Sequence, residues 1–282
     1  MTTKIQKEIS RDVGLEVGSI LGKYFLKLDH LHYGYWSNNL EVDITNLHIA
    51  QDEYTKLILS YIPDGVKSIL DVGCGTGHID KILLDNGYIV DCVSPSAYMN
   101  KHISELLGDK SHIYECTYEE LQTDKKYDMV MFCESFQYIN MEKSFSNTSK
   151  FLTNNGYMLI CDIFRRDVES KGKMGGGYNI DKFNSMIENA PFKLIESLDI
   201  TNETAPNMDL MNDVLINVVQ PMIKAGVRLS ESRHALVVKI LKWKYKKKIN
   251  KLHNKYFSGD RSGDDFKKFK IYQLLLFQKN DK

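Results

Sequence analysis

The strongest constraint on the fold lies in the residues Ser68-Ile69-Leu70-Asp71-Val72 and the turn that follows, Gly73-Cys74-Gly75-Thr76-Gly77. Ser68–Val72 shows no regular polar alternation, as expected of a strand covered on both faces. The glycines permit positive φ and let backbone N–H groups come close to a ligand. The helix expected directly after the turn points its positive dipole end at the same place. A dinucleotide-binding turn would set its third glycine three positions after the second. Here the glycines fall at 73, 75 and 77, two apart. A glycine turn that holds no ligand is the bland alternative.

The rhythm of the chain extends this reading. Apolar runs at 68–72, 88–93, 112–116, 127–132 and 156–161 are separated by helix-length segments such as 77–86 and 97–107. Strands alternating with helices predict a parallel sheet with helices on both faces. Before it, Val13, Val17, Ile20, Leu21, Tyr24 and Leu28 recur at a helical period, and a second helix is expected over 45–62. Pro63-Asp64-Gly65 closes that region as a turn. After it come a glycine run at 175–177, a helix over 181–190 and a strand over 192–200. A mostly helical stretch at 203–262 and a last strand at 270–278 complete the chain. The expected fold is α/β: a Rossmann-like, seven-stranded, mostly parallel sheet with an N-terminal helical cap at 1–62 and a helical lid insertion at 203–262. The sheet domain takes 63–202 and 263–282.

Composition narrows the function. The chain carries 37 Lys+Arg against 37 Asp+Glu over 282 residues, a formal charge of zero. That argues against a general nucleic-acid binder, which needs a basic field. The first residues lack the apolar core of a signal peptide. No apolar run approaches the roughly 18 residues of a membrane span. The cysteines, Cys74, Cys92, Cys116, Cys133 and Cys161, are odd in number and lack any CxxC spacing. This fits neither a disulfide framework nor a sequence-encoded zinc site, and it predicts a cytoplasmic protein without a metal. Soft-metal binding by the four cysteines near strand ends is a minor alternative to plain burial.

The segment 71–77 resembles, almost letter for letter, the first motif of the class I S-adenosylmethionine (SAM)-dependent methyltransferases, and the resemblance covers 66–162 most strongly. It implies SAM as cofactor and S-adenosylhomocysteine as product, with Asp71, Gly73, Cys74, Gly75 and Gly77 around the methionine part and ribose. The family usually closes its second strand with an acid that holds the ribose. Here that position is Ser94, followed by Pro95, and a hydroxyl makes one good hydrogen bond where a carboxylate accepts two. Asp91 lies three residues back, so it points to the opposite face. The cyclopropane fatty acid synthases tolerate such a change. The cluster His32-Tyr33-Gly34-Tyr35-Trp36 also resembles the cap of that branch and of tocopherol-type methyltransferases. Tyr33, Tyr35 and Trp36 are therefore cofactor candidates, since aromatic rings attract a sulfonium; core packing is the competing role. Thr117 and Tyr118 fall where the family meets adenine.

Cyclopropanation is disfavoured, because Gln137 and Tyr138 stand where those synthases have Glu and His. Glu134 is a candidate for both cofactor and catalytic work. His32, Tyr138 and Asp162 complete the candidates for a base or orienting group. A base is needed only when the acceptor must lose a proton. Arg165 and Arg166 could bind an anion or form a solvated turn. The segment after Arg233 carries eight lysines up to Phe257 and no acid. Its apolar residues Val237, Ile240, Leu241, Tyr245, Ile249, Leu252 and Tyr256 keep a helical period. Such a helix can lie on an anionic membrane or be a lid with a solvated face. The expected activity is methyl transfer to a small molecule, with lipids and isoprenoids among the candidate acceptors. A cyclopropane synthase-like enzyme and a degenerate fold used as a binding module are the alternatives.

Overall fold

The computed structural model describes residues 3–37, 39–168, 174–259 and 261–280. Helix α1 (Thr3–Leu26) and α2 (Leu47–Ser60) precede the sheet. The alternating part then runs β1 (Ser68–Val72), α3 (His78–Asp85), β2 (Ile89–Val93), α4 (Ala97–Leu107), β3 (Ile113–Tyr114), β4 (Tyr127–Cys133), α5 (Met141–Phe151) and β5 (Leu152–Arg165). The remainder is β6 (Tyr178–Asn179), α6 (Ile180–Ile187), β7 (Phe192–Asp199), α7 (Thr201–Thr204), α8 (Pro206–Val214), α9 (Gln220–Lys244), α10 (Lys246–Tyr256), α11 (Gly263–Phe269) and β8 (Lys270–Lys279).

The main path of the sheet is β3-β2-β1-β4-β5-β8-β7, with β6 paired to β5. Strand β8 is antiparallel to both its neighbours, and the other pairs are parallel. The short β6 brings the sheet to eight strands, one more than the periodicity predicts. Strand β3 is only two residues long, because the chain leaves the sheet after Tyr114. Strand β5 instead extends through Arg165, held along its length by β8.

Side chains alternate across this sheet with the strand period of two. Leu70, Val72 and Val130 point to one face, where Phe136, Phe145, Phe164 and Phe183 fill the core under α5 and α6. Ile69, Val90, Met129 and Met131 point to the other, where Tyr54 and Ile58 of α2, Leu83 of α3 and Phe266 of α11 cover them. Burial on both faces is why these strands read as continuous apolar runs.

Two long helical segments expose their apolar residues. Helix α1 forms, but its stripe does not pack: Val13, Val17, Ile20, Leu21 and Tyr24 are all exposed. The insertion is helical, yet α9 and α10 bury no residue of their own. A π-turn at Leu215–Val219 leads into α9, and His234 breaks its helical backbone. These helices form an arm that projects from the domain.

The glycine turn is set by close contact. Gly73 has φ +82°, and a Cβ there would lie 2.4 Å from the Ser135 Cβ. Gly75 has φ +57°, and its Cβ would meet nothing within 4 Å. We expect Gly75→Ala to cost about 1–2 kcal/mol for the left-handed backbone alone. Gly73→Ala should cost clearly more, because overlap with Ser135 is added. Urea unfolding of both variants checks the order, and a Gly73→Ala variant as stable as Gly75→Ala would refute it.

Candidate active site

The site lies beyond the carboxyl ends of β1, β2, β4 and β5, where ligands sit in open α/β sheets. Its centre is Glu134, the residue directly after β4. Glu134 has φ +56°, a conformation uncommon outside glycine. Its backbone N–H donates to the Cys161 carbonyl at 2.9 Å. The Oε1 atom accepts from the Tyr33 backbone N–H at 2.7 Å and from the Tyr272 hydroxyl at 2.7 Å. Burial pushes the Glu134 carboxyl up to about 7, and nearby Asp162 adds to the shift. Asp162, at 1% exposure, is likewise raised by burial to about 7. It accepts from the backbone N–H of Gln137 and Ile163 and from Gln137 Nε2 at 2.8 Å.

The cap segment is laced across this mouth by hydrogen bonds. Thr76 Oγ1 donates to the Asp29 carbonyl at 2.6 Å, fastening the cap to the glycine turn. Gln51 Nε2 donates to the His32 carbonyl at 2.6 Å. Asn207 accepts from the Gly34 N–H and donates to the Gly34 carbonyl, at 2.9 and 2.7 Å. Gly34 has no alternative, since a Cβ would lie 2.5 Å from that of Ala50. His32 stacks on Tyr54 at 4.3 Å between ring centroids. Its Nδ1 pairs with the Tyr33 carbonyl at 2.8 Å, and its Nε2 is buried without a partner. Burial lowers His32 to about 4 and His30 to about 2, with the facing His78 adding to both.

The structure thus brings His32, Tyr33, Glu134 and Asp162 to one mouth with the glycine turn. The other cap aromatics face elsewhere. Tyr35 lies near Glu203 and Tyr61. Trp36 is buried, its backbone N–H donating to the Glu203 carbonyl and its indole N–H without a partner among the described residues. Tyr118 is corrected to a core residue: its ring packs on Phe132 and Phe151, and its hydroxyl meets Thr148 at 2.9 Å. Tyr138 is 67% exposed at the rim. Ser94 is buried at the end of β2 and Pro95 is exposed beside it. Thr117 donates to Glu120. Asp91 indeed faces away, binding Lys125 and Tyr127 at 2.8 and 2.7 Å. Arg166 is structural: its Nε donates to the Lys270 carbonyl and its guanidinium lies 3.8 Å from Asp199.

Sequence reasoning missed Tyr54, Tyr272, Gln51 and Asn207. Tyr272 lies 218 residues from Tyr54, yet their hydroxyls are 3.1 Å apart beside Glu134. No local pattern signals such a pairing.

Behind the cap lies a cleft of about 220 Å³ between α1, α2 and α8. Gly18, Gly22, Leu28, Leu47, Leu210 and Met211 line it, with His30, His32, Gln51 and Asn207 as polar points.

Residues 70–160 match the Methyltransferase domain family. Over 156 residues the chain is 28% identical to a ubiquinone biosynthesis O-methyltransferase of Rickettsia prowazekii, covering 53% of this chain. The match spans 62% of that relative's length. A geranyl diphosphate C-methyltransferase from Streptomyces coelicolor A3(2) superposes with a TM-score of 0.64 at 15% identity, over 94% of this chain and 91% of that one. The cyclopropane synthase MmaA2 from Mycobacterium tuberculosis superposes at 0.63 and 12% identity, over 89% and 90%. These two likenesses show the fold. Residues 70–160, which hold the glycine turn and strands β2 to β4, therefore form a methyltransferase domain, and the strand order and structural likenesses give the whole chain the Rossmann-like methyltransferase fold.

Burial that raises Glu134 has a consequence for stability. The folded state holds the Glu134 proton more tightly than the unfolded chain, so stability falls as pH rises between 4.5 and about 7. His30 and His32 act in the opposite sense: their folded values are lowered, so their contribution is lost as pH falls below 6.5. Glu134→Gln removes only the first effect. We expect wild-type stability to decline relative to Glu134→Gln across pH 4.5 to 7.5 in urea unfolding; parallel curves would contradict the assignment.

Proposed function

We propose that this chain transfers the methyl group of SAM to a small, lipophilic acceptor held in the cleft behind the cap. The observation that carries this reading is the Tyr33–Glu134–Tyr272 junction, which closes the cap over the glycine turn beside an apolar cleft. The residues present fit the cofactor. Open space at Gly75 leaves room for a ligand against the turn, and the buried His32 Nε2 and Asn100 Oδ1 have no protein partner. The backbone of the turn that follows Asp71, from Gly73 through Cys74 and Gly75 to Gly77, would hold SAM with Ser94, Pro95 and Thr117 along the next strand ends, and Tyr33 and Glu134 above. Bound SAM supplies a methyl group on a sulfonium, already electrophilic.

The chain's own work is to position, exclude water and handle a proton. Most of the acceleration of such a transfer comes from alignment. Glu134 keeps Oε2 beyond its two Oε1 contacts and sits near neutrality, so it can take a proton from a hydroxyl or amine acceptor. Asp162 is held by Gln137 and serves as the orienting carboxylate behind it. His32, buried neutral against Tyr54, shapes the cleft wall, and Tyr138 stands at its rim. Gln137 and Tyr138, standing where the cyclopropane synthases have Glu and His, favour plain methyl transfer over ring formation. In this reading 1–62 is the cap and 203–262 the insertion beside the acceptor.

The projecting arm supports a membrane-derived acceptor. Trp243 is 79% and Leu236 77% exposed, flanked by Lys239, Lys242, Lys244 and the lysines of α10. An apolar stripe with a basic face suits an anionic lipid surface. No described helix is long and apolar enough to cross a membrane. The described cysteines are all free thiols, which supports a reducing, cytoplasmic setting.

Calorimetry tests the cofactor. Wild type should bind SAM and S-adenosylhomocysteine, and Gly75→Arg should bind neither; a folded wild type that binds neither would leave a binding module. Quinones, phenols and lipid amines are the first acceptors to screen. The sequence has two tryptophans, and Trp36 is buried, so Trp36→Phe leaves Trp243 as the reporter of the arm. Its fluorescence should shift to the blue with phosphatidylglycerol vesicles and not with phosphatidylcholine vesicles. An unchanged spectrum on anionic vesicles would remove the membrane from the proposal.

A further inference from the structure

Beneath the glycine turn lies a cluster that the transfer reaction does not explain. Asp71 and Cys92 are register partners on β1 and β2, so their side chains leave the sheet on the same face. Cys74 comes from the turn after β1, and Asp80 reaches in from the first turn of α3. One donor atom each from Cys74, Asp80 and Cys92 lies within 4.8 Å of the others. Asp80 is wholly buried and Asp71 is 2% exposed. Both Asp80 carboxylate oxygens and Asp71 Oδ1 lack any hydrogen-bond donor among the described residues.

The groups acting on these four are one another, the Cys133 thiol and the Ser111 hydroxyl, which lies 3.4 Å from Cys92 Sγ. Two thiols and two carboxyls packed in an apolar core, with no cation named among their partners, are costly to bury in ionised form. Either protons or a bound cation must neutralise them. Isolated buried carboxyls usually find backbone N–H donors, as Asp162 does in this same molecule. Asp80, inside the first helical turn, makes no well-formed hydrogen bond among the described residues and has only its own backbone N–H, Asp71 and Cys92 beside it.

We propose that Cys74, Cys92 and Asp80, with Asp71 as fourth donor, form a buried tetrahedral metal site that takes zinc. Thiolate with carboxylate is a borderline-soft set, suited to zinc rather than to magnesium or calcium. Zinc bonds of about 2.0–2.3 Å require donors a few ångströms apart, so a small inward shift would bring Cys74, Asp80 and Cys92 onto one ion, while Asp71, which adjoins Asp80, would have to move in to complete the shell. Four protein donors leave no open position, which makes the site structural. Because Asp71 and Cys74 belong to the turn itself, the ion would brace the cofactor loop from beneath. Sequence spacing conceals the site: its donors come from a strand, a turn, a helix and a second strand.

Cobalt(II) is the probe. The reduced full-length protein, stripped with a chelator, is titrated with cobalt and followed by absorption. We expect a near-ultraviolet thiolate-to-cobalt band with strong visible bands of a tetrahedral ion, saturating at one ion per chain and erased by zinc. Cys92→Ser and the shape-conserving Asp80→Asn should each weaken cobalt binding beyond the roughly 10–100-fold that loss of a supporting partner costs. Cys116→Ser, whose thiol lies outside the cluster, should bind as wild type does. A folded wild type without the thiolate band would mean that shared protons fill the site. Asp80→Asn binding cobalt as tightly as wild type would also overturn the proposal. None of these readouts depends on SAM binding, so a failure here and a failure of the methyltransferase reading are told apart.

Discussion

The buried carboxylate of Glu134 is the interaction on which the cap, the sheet and the site all depend. It stands in a left-handed conformation at the end of β4, which costs of the order of 1–3 kcal/mol in a residue with a side chain. That conformation turns the side chain toward the cap rather than along the strand. One oxygen then satisfies the Tyr33 N–H and the Tyr272 hydroxyl together. The cap segment, the end of β4 and strand β8 are joined at one atom. An unpaired buried carboxylate would be far more expensive than the backbone strain. The same burial brings Glu134 close to neutrality, so the group that holds the cap is also the one able to exchange a proton there.

The rest of the cap follows from backbone groups that need partners. Residues 29–36 form neither helix nor strand, so their N–H and C=O groups find no ladder. Thr76, Gln51, Asn207 and the carbonyls of Ala50 and Glu203 supply bonds instead. The close fit of Gly34 against Ala50 lets α2 lie near enough for this to work. The cap is therefore fixed to the glycine turn, to α2 and to α8 at once. The polar points of the cleft are the same side chains that hold the cap in place.

The two long helical segments outside this frame behave differently. The apolar stripe of α1 and the whole of α9 and α10 carry apolar side chains with no protein to cover them. Exposed apolar area of this extent marks a surface for another body rather than a core. In the proposed function the lysines beside Trp243 would favour an anionic one. The bend at His234 gives the arm its shape, since it interrupts the helical backbone midway.

Much of the sheet was legible in the sequence. Doubly buried strands must be apolar without interruption, so β1, β4 and β8 stand out, and α4 begins and ends where its period does. The glycine spacing at 73, 75 and 77 marked the turn, and Asp91 was correctly placed on the far face. Short β6 escaped, because two residues carry no periodicity, and β3 is shorter than the apolar run at 112–116 that marked it. The packing of Tyr118 among Phe132, Phe151 and Thr148 was not legible, because a buried tyrosine with a hydroxyl partner looks, in sequence, like one that faces a ligand. Local pattern by itself determined the fold class, the glycine turn and the aromatic cap segment, since each rests on neighbouring residues and backbone geometry. Only the tertiary structure decided which side chains converge: Tyr272 and Tyr54 on Glu134, Gln137 on Asp162, and Asp80 on Cys74 and Cys92. Those meetings depend on strand register and helix docking, which join residues far apart in the chain and leave no mark on local spacing.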